Sequence, residues 1–331
     1  MRNPGVVFTG KDEVSVQPVQ SPGPGPGELL IQTTRTLISA GTECICLQRK
    51  FSPGTHWHAW VQYPFYPGYC GVGKVREAGP GVEGFEPGAR VALWSKHLQF
   101  ATAAADRAVR VPETVGDEEA AWYPMAAIAQ HGFRLANVQL GETVVVVGLG
   151  MLGQLVVQYA RLAGAREVIA IDPAAPRLEL ARRFGATRGV AVPVAEALDV
   201  VRDITGERLA EVLFDMTGHP EVFAASQGLL GNFGRLVLIG DTGAPEQQRL
   251  TSDCIKKNLQ ILGAHQSLAA GRPWNHARMG ELFLQYVQEG RMNVKDLISH
   301  RFAVEKAPEA YDLLTTRRSE AMGVVLQFGE A

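Results

Sequence analysis

The residues with the clearest chemical potential form a glycine-rich turn between a predicted strand and a predicted helix. Four consecutive valines at 144–147 are typical of a strand buried on both faces, and the pattern G-x-G-x-x-G follows them. The first glycine permits a tight turn, the second lets a pyrophosphate approach the backbone, and the third lets the helix at about 151–163 pack against the strand. Because amides at a helix N-terminus attract phosphate, the turn is predicted to bind a dinucleotide. The predicted contacts are Gly148, Gly150, Met151, Leu152 and Gly153.

An acidic residue follows where the adenosine ribose of such a dinucleotide is expected. The second predicted strand, 167–171, ends at Asp172, about 20 residues after the last glycine of the pattern. A carboxylate there accepts hydrogen bonds from a ribose diol and repels a 2′-phosphate, so the prediction is NAD(H) rather than NADP(H). Arg177 is the alternative, because an arginine just past this strand can accept a 2′-phosphate, but Asp172 is better placed. Further contacts are predicted after the next strands, at Thr217, Ile239 and Gly240.

Two halves of different character must position these residues. Residues 1 to about 120 are rich in glycine, proline and short strand patterns, which predicts a compact, mostly antiparallel domain. From about residue 122 strands and helices alternate, which predicts a parallel sheet with helices on both faces. A closing strand at 322–328 is expected to return to the first domain. The predicted fold class is therefore α/β, with a β-rich domain and a doubly wound parallel-sheet domain.

Composition limits the classes of partner. The 331 residues include 32 Lys and Arg against 34 Asp and Glu, so the net charge is close to zero. With no basic patch, nucleic acid and anionic membrane surfaces are not expected as partners. No apolar run approaches a membrane span, and the N-terminus lacks a signal-peptide pattern. The four cysteines form no paired framework, which favours the reducing cytoplasm.

Several short phrases along the whole chain carry a family resemblance. They are Pro67-Gly68-Tyr69 ahead of a glycine-containing strand at 71–75, the segments 79–82 and 85–91, and the segment 298–302. Together with the dinucleotide turn, they resemble the medium-chain dehydrogenase/reductase superfamily, which contains the alcohol and polyol dehydrogenases. The resemblance implies a GroES-like catalytic domain from both chain ends, a Rossmann domain between them, and an active site in the cleft. The expected boundaries are 1–122 with 268–331, and 123–267. It also implies a homodimer or homotetramer.

The sequence departs from the zinc-dependent members of that superfamily at each metal position. Ala40 stands where they carry the first cysteine ligand, Tyr69 stands where they carry histidine, and Tyr123 lies in the region of the third ligand. The four cysteines of a structural zinc lobe are also missing between residues 90 and 111. Catalytic zinc takes three protein ligands, so no metal is predicted at either site. Other side chains could in principle bind a metal, but we prefer to interpret them as residues that pack in the protein interior. They are Cys44, Cys46, His56, His58 and Cys70.

Without zinc, side-chain donors must stabilise the alkoxide that develops during hydride transfer. Tyr69 is the preferred proton donor, with Tyr123 and His97 behind it, because both tyrosines stand at former ligand positions. Thr42 matches the relay threonine of the family, although Ile45 replaces the relay histidine.

Glu43 is predicted either to orient these donors or to pair with an arginine such as Arg90. Each predicted donor also has a structural alternative. Thr42 can bond backbone in a turn, the tyrosines can fill the space left by the metal, and His97 can be a structural histidine.

The aromatic loop at 51–66 either builds a wall for a ring-shaped substrate or packs against a partner subunit. The predicted function is an NAD-dependent, zinc-independent oxidoreductase acting on a secondary alcohol, of the sugar, cyclitol or other polyhydroxy class. Two alternatives stay open. One is a quinone or enoyl reductase using NAD(P)H, and the other is a non-catalytic protein that binds NAD(H).

Overall fold

The computed structural model describes residues 3–20, 23–269 and 271–329. The chain divides into two compact units. The first contains Met1–Ala127 and Gly271–Ala331, and the second contains Ile128–Ala270. The divisions thus fall at 127/128 and 270/271, against the expected 122/123 and 267/268. No helix in the described part of the chain is both long and apolar enough to cross a membrane.

The strands are short, as the spacing of turn residues predicts. In chain order they are β1 (Pro4–Gly10), β2 (Glu13–Pro18), β3 (Glu28–Leu37), β4 (Gly71–Ala78), β5 (Arg90–Leu93), β6 (Phe100–Ala104), β7 (Val109–Arg110), β8 (Thr143–Val147), β9 (Glu167–Ile171), β10 (Arg188–Val190), β11 (Ala210–Asp215), β12 (Leu230–Leu238), β13 (Gln260–Gly263), β14 (Ile298–Ala303) and β15 (Gly323–Gln327).

The helices include five that the sequence did not predict. In chain order they are α1 (Ala40–Gln48), α2 (His56–Trp60), α3 (Asp117–Ala120), α4 (Tyr123–Ala136), α5 (Met151–Leu162), α6 (Ala175–Arg183), α7 (Leu198–Thr205), α8 (Pro220–Ser226), α9 (Ser252–Lys256), α10 (His276–Gln288) and α11 (Ala307–Thr316). The unpredicted helices are α1, α2, α3, α4 and α9. The first residues of α1 form the segment that was compared with the metal-binding segment of the family.

The first unit is built on a seven-stranded sheet in the order β14-β15-β3-β4-β5-β7, with β6 also paired to β3. All of its pairs are antiparallel except β14 with β15. Alternating apolar residues of β3, such as Leu29 and Ile31, are fully buried against Val75 and Leu93. The closing strand β15 pairs with β3, which confirms that the chain end returns to this unit.

The second unit holds a six-stranded parallel sheet in the order β10-β9-β8-β11-β12-β13. Helices cover both faces. Val201 of α7 and Phe223 of α8 share one apolar cluster with Val145 and Leu213, while Phe133 of α4 stacks on Phe214 at 5.7 Å between ring centroids. The predicted doubly wound arrangement is therefore confirmed. The strand order reverses between β8 and β11, which is where ligands bind in sheets of this kind.

Candidate functional site

The glycine turn after β8 has the geometry that a dinucleotide pyrophosphate requires. Gly148 has a φ of +87°, a conformation that favours glycine. A Cβ on Gly153 would lie 2.1 Å from the Gly148 carbonyl oxygen, so only glycine allows this close packing. A Cβ on Gly150 would meet nothing within 4 Å, and no side chain caps α5 at that residue. The turn therefore leaves an open cradle beside helix amides, which fits the phosphates of a nicotinamide dinucleotide.

Asp172 lies directly beside this turn. Its Oδ2 accepts a hydrogen bond from the Leu149 amide at 2.8 Å, and its Oδ1 accepts one from the Ala174 amide at 2.8 Å. Arg177 Nη1 lies 3.7 Å from Asp172 Oδ2. The carboxylate is thus held in one orientation, and each oxygen retains a lone pair for a further donor. A fixed carboxylate with free lone pairs can accept the hydrogen bonds that the two hydroxyls of a ribose donate.

The remaining predicted cofactor residues also gather at the carboxyl ends of the parallel strands. Thr217 donates from both its amide and its hydroxyl to Asp215 Oδ1, at 2.8 and 2.7 Å. A Cβ on Gly148 would lie 2.7 Å from Thr217 Cγ2. Ile239 and Gly240 both donate their amides to the Asp215 carbonyl. The structure therefore brings these residues together at the point where the strand order reverses.

In the first unit, Tyr69 occupies the centre of a group of hydroxyls. Its Oη is hydrogen-bonded to Ser39 Oγ, and it lies 3.6 Å from Met125 Sδ. Its ring stacks on Trp94 with 5.6 Å between centroids. Desolvation raises the pKa of Tyr69 above its usual range, while hydrogen bonds with Ser39 and Thr42 oppose that rise. The phenol is therefore neutral at physiological pH and able to donate a proton.

Glu43, on α1, is the centre of a buried polar network. It accepts hydrogen bonds from the Ser39 amide at 2.7 Å and from the Tyr311 hydroxyl, and it contacts His97 Nε2 at 3.0 Å. His97 is fully buried, and its Nδ1 lies 2.7 Å from Thr36 Oγ1. Because a carboxylate only accepts, Nε2 carries the hydrogen in its contact with Glu43.

This network corrects one prediction and refines another. Glu43 does not pair with Arg90, because the Arg90 guanidinium lies 2.6 Å from Asp117 Oδ1 and donates to the Val115 carbonyl. Glu43 instead holds His97. With no exposed surface, His97 has the position of a structural histidine, one of the two roles that the sequence allowed.

Tyr123 is also fully buried, but its hydroxyl is occupied by other contacts. It donates to the Arg107 carbonyl at 2.8 Å and accepts from Trp94 Nε1 at 3.3 Å. Burial raises the pKa of its phenol. The ring also lies against Gly280, where an added Cβ would meet Tyr123 Cε2 at 2.5 Å. This position fits the space-filling alternative.

Two adjacent cavities of the first unit share Tyr66, Gly68, Tyr69 and Lys96. One has a volume of about 300 Å³, and the other about 450 Å³. The aromatic loop contributes to the smaller cavity, whose walls include Trp60, Phe65, Tyr66 and Thr42. Both volumes suit a small organic substrate.

The donor set around Tyr69 does not fit a catalytic zinc ion. Ala40 offers only a methyl group, and the hydroxyls of Tyr69 and Tyr123 are engaged with Ser39 and with the Arg107 carbonyl. Within residues 3–20, 23–269 and 271–329, no three or more His, Cys, Asp or Glu side chains are grouped so that they could hold a metal ion. These residues do not supply the three ligands that zinc takes.

Comparison with known proteins shows that this chain is similar to dehydrogenases. Residues 152–274 match the family model of zinc-binding dehydrogenases. The chain is 26% identical over 349 residues to an L-threonine 3-dehydrogenase from Anaeromyxobacter sp. (strain K), a match that covers 95% of this chain and 94% of that protein. The chain is thus similar to zinc-binding dehydrogenases within residues 152–274 and to an L-threonine 3-dehydrogenase along most of its length.

Two solved structures of dehydrogenases share the fold of this chain. A protein from Sinorhizobium meliloti 1021, described as a zinc-binding dehydrogenase and bound to NADP, has a TM-score of 0.82 at 23% identity, covering 99% of both chains. A short chain alcohol dehydrogenase from E. coli CFT073, complexed with NADH, also has a TM-score of 0.82, at 20% identity and 99% coverage of both chains. The two neighbours carry different dinucleotides. They confirm the fold class, a GroES-like unit with a Rossmann unit.

Sequence reasoning missed residues that hold the predicted ones in place. They are Thr36, Ser39, Trp94 and Tyr311. It also missed Lys96, which lines the smaller cavity together with Tyr69. The sequence could have indicated Ser39, because it directly precedes the segment beginning at Ala40 that was compared with the family's metal-binding segment. Tyr311 had none, since it lies on α11, far along the chain from Glu43.

Proposed function

We propose that this protein is an NAD(H)-dependent, zinc-independent oxidoreductase that transfers hydride between the nicotinamide and a secondary alcohol. One observation carries the proposal. The Tyr69 hydroxyl bonds Ser39 beside a substrate-sized cavity, at a position where zinc-dependent members of the superfamily carry a ligand. The family match and the geometry of the glycine turn support the broader assignment to the alcohol dehydrogenase-like oxidoreductases.

The proposed chemistry uses the Tyr69 hydroxyl as the proton donor. When bound, the nicotinamide supplies or accepts the hydride. In carbonyl reduction, the substrate oxygen gains negative charge, and Tyr69 Oη stabilises it and then donates its proton to it. Ser39 Oγ, hydrogen-bonded to Oη, is the adjacent group through which the phenol regains a proton. The desolvation that raises its pKa keeps the Tyr69 phenol protonated, which is the form that the donation step requires.

The proposed substrate is a sugar, a cyclitol or another polyhydroxy compound with a secondary hydroxyl. Trp60, Phe65 and Tyr66 line the smaller cavity and offer apolar faces on which a ring can stack. The hydroxyl group of L-threonine, named in the relatives' activity, is also a secondary alcohol.

The coenzyme preference is tested by titrating the protein with NADH and NADPH and following the fluorescence of the reduced nicotinamide. We expect NADH to bind at least about 10-fold more tightly, because a hydrogen bond to the charged Asp172 contributes roughly 1.5–3 kcal/mol and the 2′-phosphate is repelled. Asp172→Asn removes the charge and should lower the ratio of the NADPH dissociation constant to the NADH dissociation constant by about 10-fold.

The matched control for this titration is Asp199→Asn, at an exposed carboxylate of the same unit, and it should leave the ratio unchanged. A wild-type protein that binds NADPH more tightly would show that Arg177 rather than Asp172 determines the preference.

Zinc independence is tested on the same preparation by metal analysis and by dialysis against a chelator. Turnover of the best carbonyl from a broad panel should survive the chelator, because Tyr69 and Ser39 need no metal to donate a proton. Stoichiometric zinc, with activity lost on its removal, would contradict the proposal. A protein that binds NADH tightly but turns over neither carbonyls, quinones nor enoyl compounds would be a binding protein.

A further inference from the structure

Lys96 is an uncompensated positive charge at the junction of the two cavities. It follows β5 and lines both cavities together with Tyr66 and Tyr69. Its ammonium lies 5.3 Å from the centroid of the Tyr66 ring, and no carboxylate in the described part of the chain forms an ion pair with it. A lysine held by an aromatic face, rather than by an acid, remains available to an anionic ligand.

The charged residues that line the cavities show what electrostatic environment a ligand would meet there. Among the described residues that line either cavity, only Lys96 and Glu43 carry a charge. The Glu43 carboxylate already accepts from the Ser39 amide and the Tyr311 hydroxyl and contacts His97. Hydrogen bonds from those three groups hold the carboxylate in place, and Glu43 does not line the larger cavity, where an anion would meet Lys96.

Ser95 provides a second, independent observation. Its side chain lines the larger cavity and is only 4% exposed, yet its hydroxyl has no hydrogen-bond partner among the described residues. A buried hydroxyl without a partner is unusual, and a ligand oxygen is one way to satisfy it. Ser95 and Lys96 are adjacent in sequence, and both line the larger cavity. The Ser95 hydroxyl lies beside Gly71, so it reaches a ligand in the cavity by rotation about χ1.

We propose that the substrate carries an anionic group, a carboxylate or a phosphate, which Lys96 and Ser95 bind while the reacting oxygen lies at Tyr69. This inference rests on the proposed function, because it names the substrate class of the same site. It narrows that class from polyhydroxy compounds in general to hydroxy acids and sugar or polyol phosphates. Lys96 and Ser95 then determine specificity, and Tyr69 supplies the proton.

The experiment compares matched ligand pairs by binding, so it does not depend on turnover. One pair is 3-hydroxybutyrate and its methyl ester, and the other is sorbitol 6-phosphate and sorbitol. Binding is followed through tryptophan fluorescence, since Trp60 and Trp94 line the cavities. We expect the anionic member of at least one pair to bind about 10- to 100-fold more tightly, as a charge-assisted hydrogen bond implies. The pair with the larger ratio identifies the group as carboxylate or phosphate.

Variants assign the effect to Lys96. Lys96→Met should bring the anionic ligand down to the affinity of its neutral partner and leave the neutral ligand unchanged, and Lys96→Arg should retain most of the preference. Lys74→Met, at an exposed lysine of β4, is the matched control and should keep the wild-type ratio.

Equal binding of both members in both pairs, or an equal loss for both members in Lys96→Met, would overturn the inference. If the protein binds the anionic ligands more tightly but transfers hydride to no carbonyl, the anion site is supported and the proposed function is overturned. If it reduces a carbonyl but binds both members of each pair equally, the proposed function is supported and the anion site is overturned.

Discussion

Replacing Tyr69 with phenylalanine should lower kcat for the best carbonyl substrate by about 10²- to 10³-fold, the usual effect of losing one donor to a developing oxyanion. The ring and its stacking on Trp94 remain, and only the contacts of the hydroxyl with Ser39 and Met125 are lost, so the fold should be intact. NADH affinity should not change, because the proposed dinucleotide residues belong to the second unit. Steady-state kinetics, together with a thermal melt and an NADH titration of the same preparation, make the measurement.

Tyr123→Phe is the matched control, since it removes the other phenol hydroxyl that the sequence placed at a former ligand position. That hydroxyl bonds Trp94 and the Arg107 carbonyl, so its loss should cost about 1–2 kcal/mol of stability and leave turnover close to wild type. If Tyr69→Phe retains full turnover, the proton comes from elsewhere and the mechanism is wrong. If Tyr123→Phe is the inactive variant, the roles of the two tyrosines are reversed.

The geometry of the candidate dinucleotide site could be predicted from the sequence because its parts are local. The buried strand, the glycines, the helix and Asp172 follow one another within a single βαβ unit, so spacing alone indicates which groups meet. The structure adds what spacing cannot give, namely that the Asp172 carboxylate bonds the amides of Leu149 and Ala174.

The network in the first unit could not be predicted, for two physical reasons. Its members come from distant parts of the chain, so no local pattern relates Glu43 on α1 to His97 after β5 or to Tyr311 on α11. Helix α1 itself has a weak helical signature, because it contains glycine, threonine and isoleucine, and it buries a glutamate where an apolar residue is expected. The sequence therefore identified Glu43 as important but proposed Arg90 as one partner, which in the structure pairs with Asp117.

Glu43 also underlies the second prediction, which concerns stability. Glu43→Ala should lower the free energy of unfolding by about 3–5 kcal/mol, the loss typical of breaking a buried charged network. The substitution leaves the Tyr311 hydroxyl, His97 Nε2 and the Ser39 amide without their acceptor, inside a region where Glu43 is 2% exposed and His97 is fully buried. Denaturant unfolding followed by tryptophan fluorescence measures the effect.

The matched control for that stability measurement is Glu309→Ala on α11, where the carboxylate pairs with Lys306 at the surface and both side chains are 60% exposed. An exposed pair contributes about 0–1 kcal/mol, so this variant should unfold nearly as the wild type does. Glu43→Gln should fall between the two, because an amide oxygen still accepts from Tyr311 while the charge is lost. Equal stability of Glu43→Ala and Glu309→Ala would show that the network does not stabilise the first unit. A stable but inactive Glu43→Ala variant would instead show that Glu43 supports catalysis. Glu43 accepts a hydrogen bond from the Ser39 amide, and the Ser39 hydroxyl is hydrogen-bonded to Tyr69, so Glu43 would act by positioning Ser39.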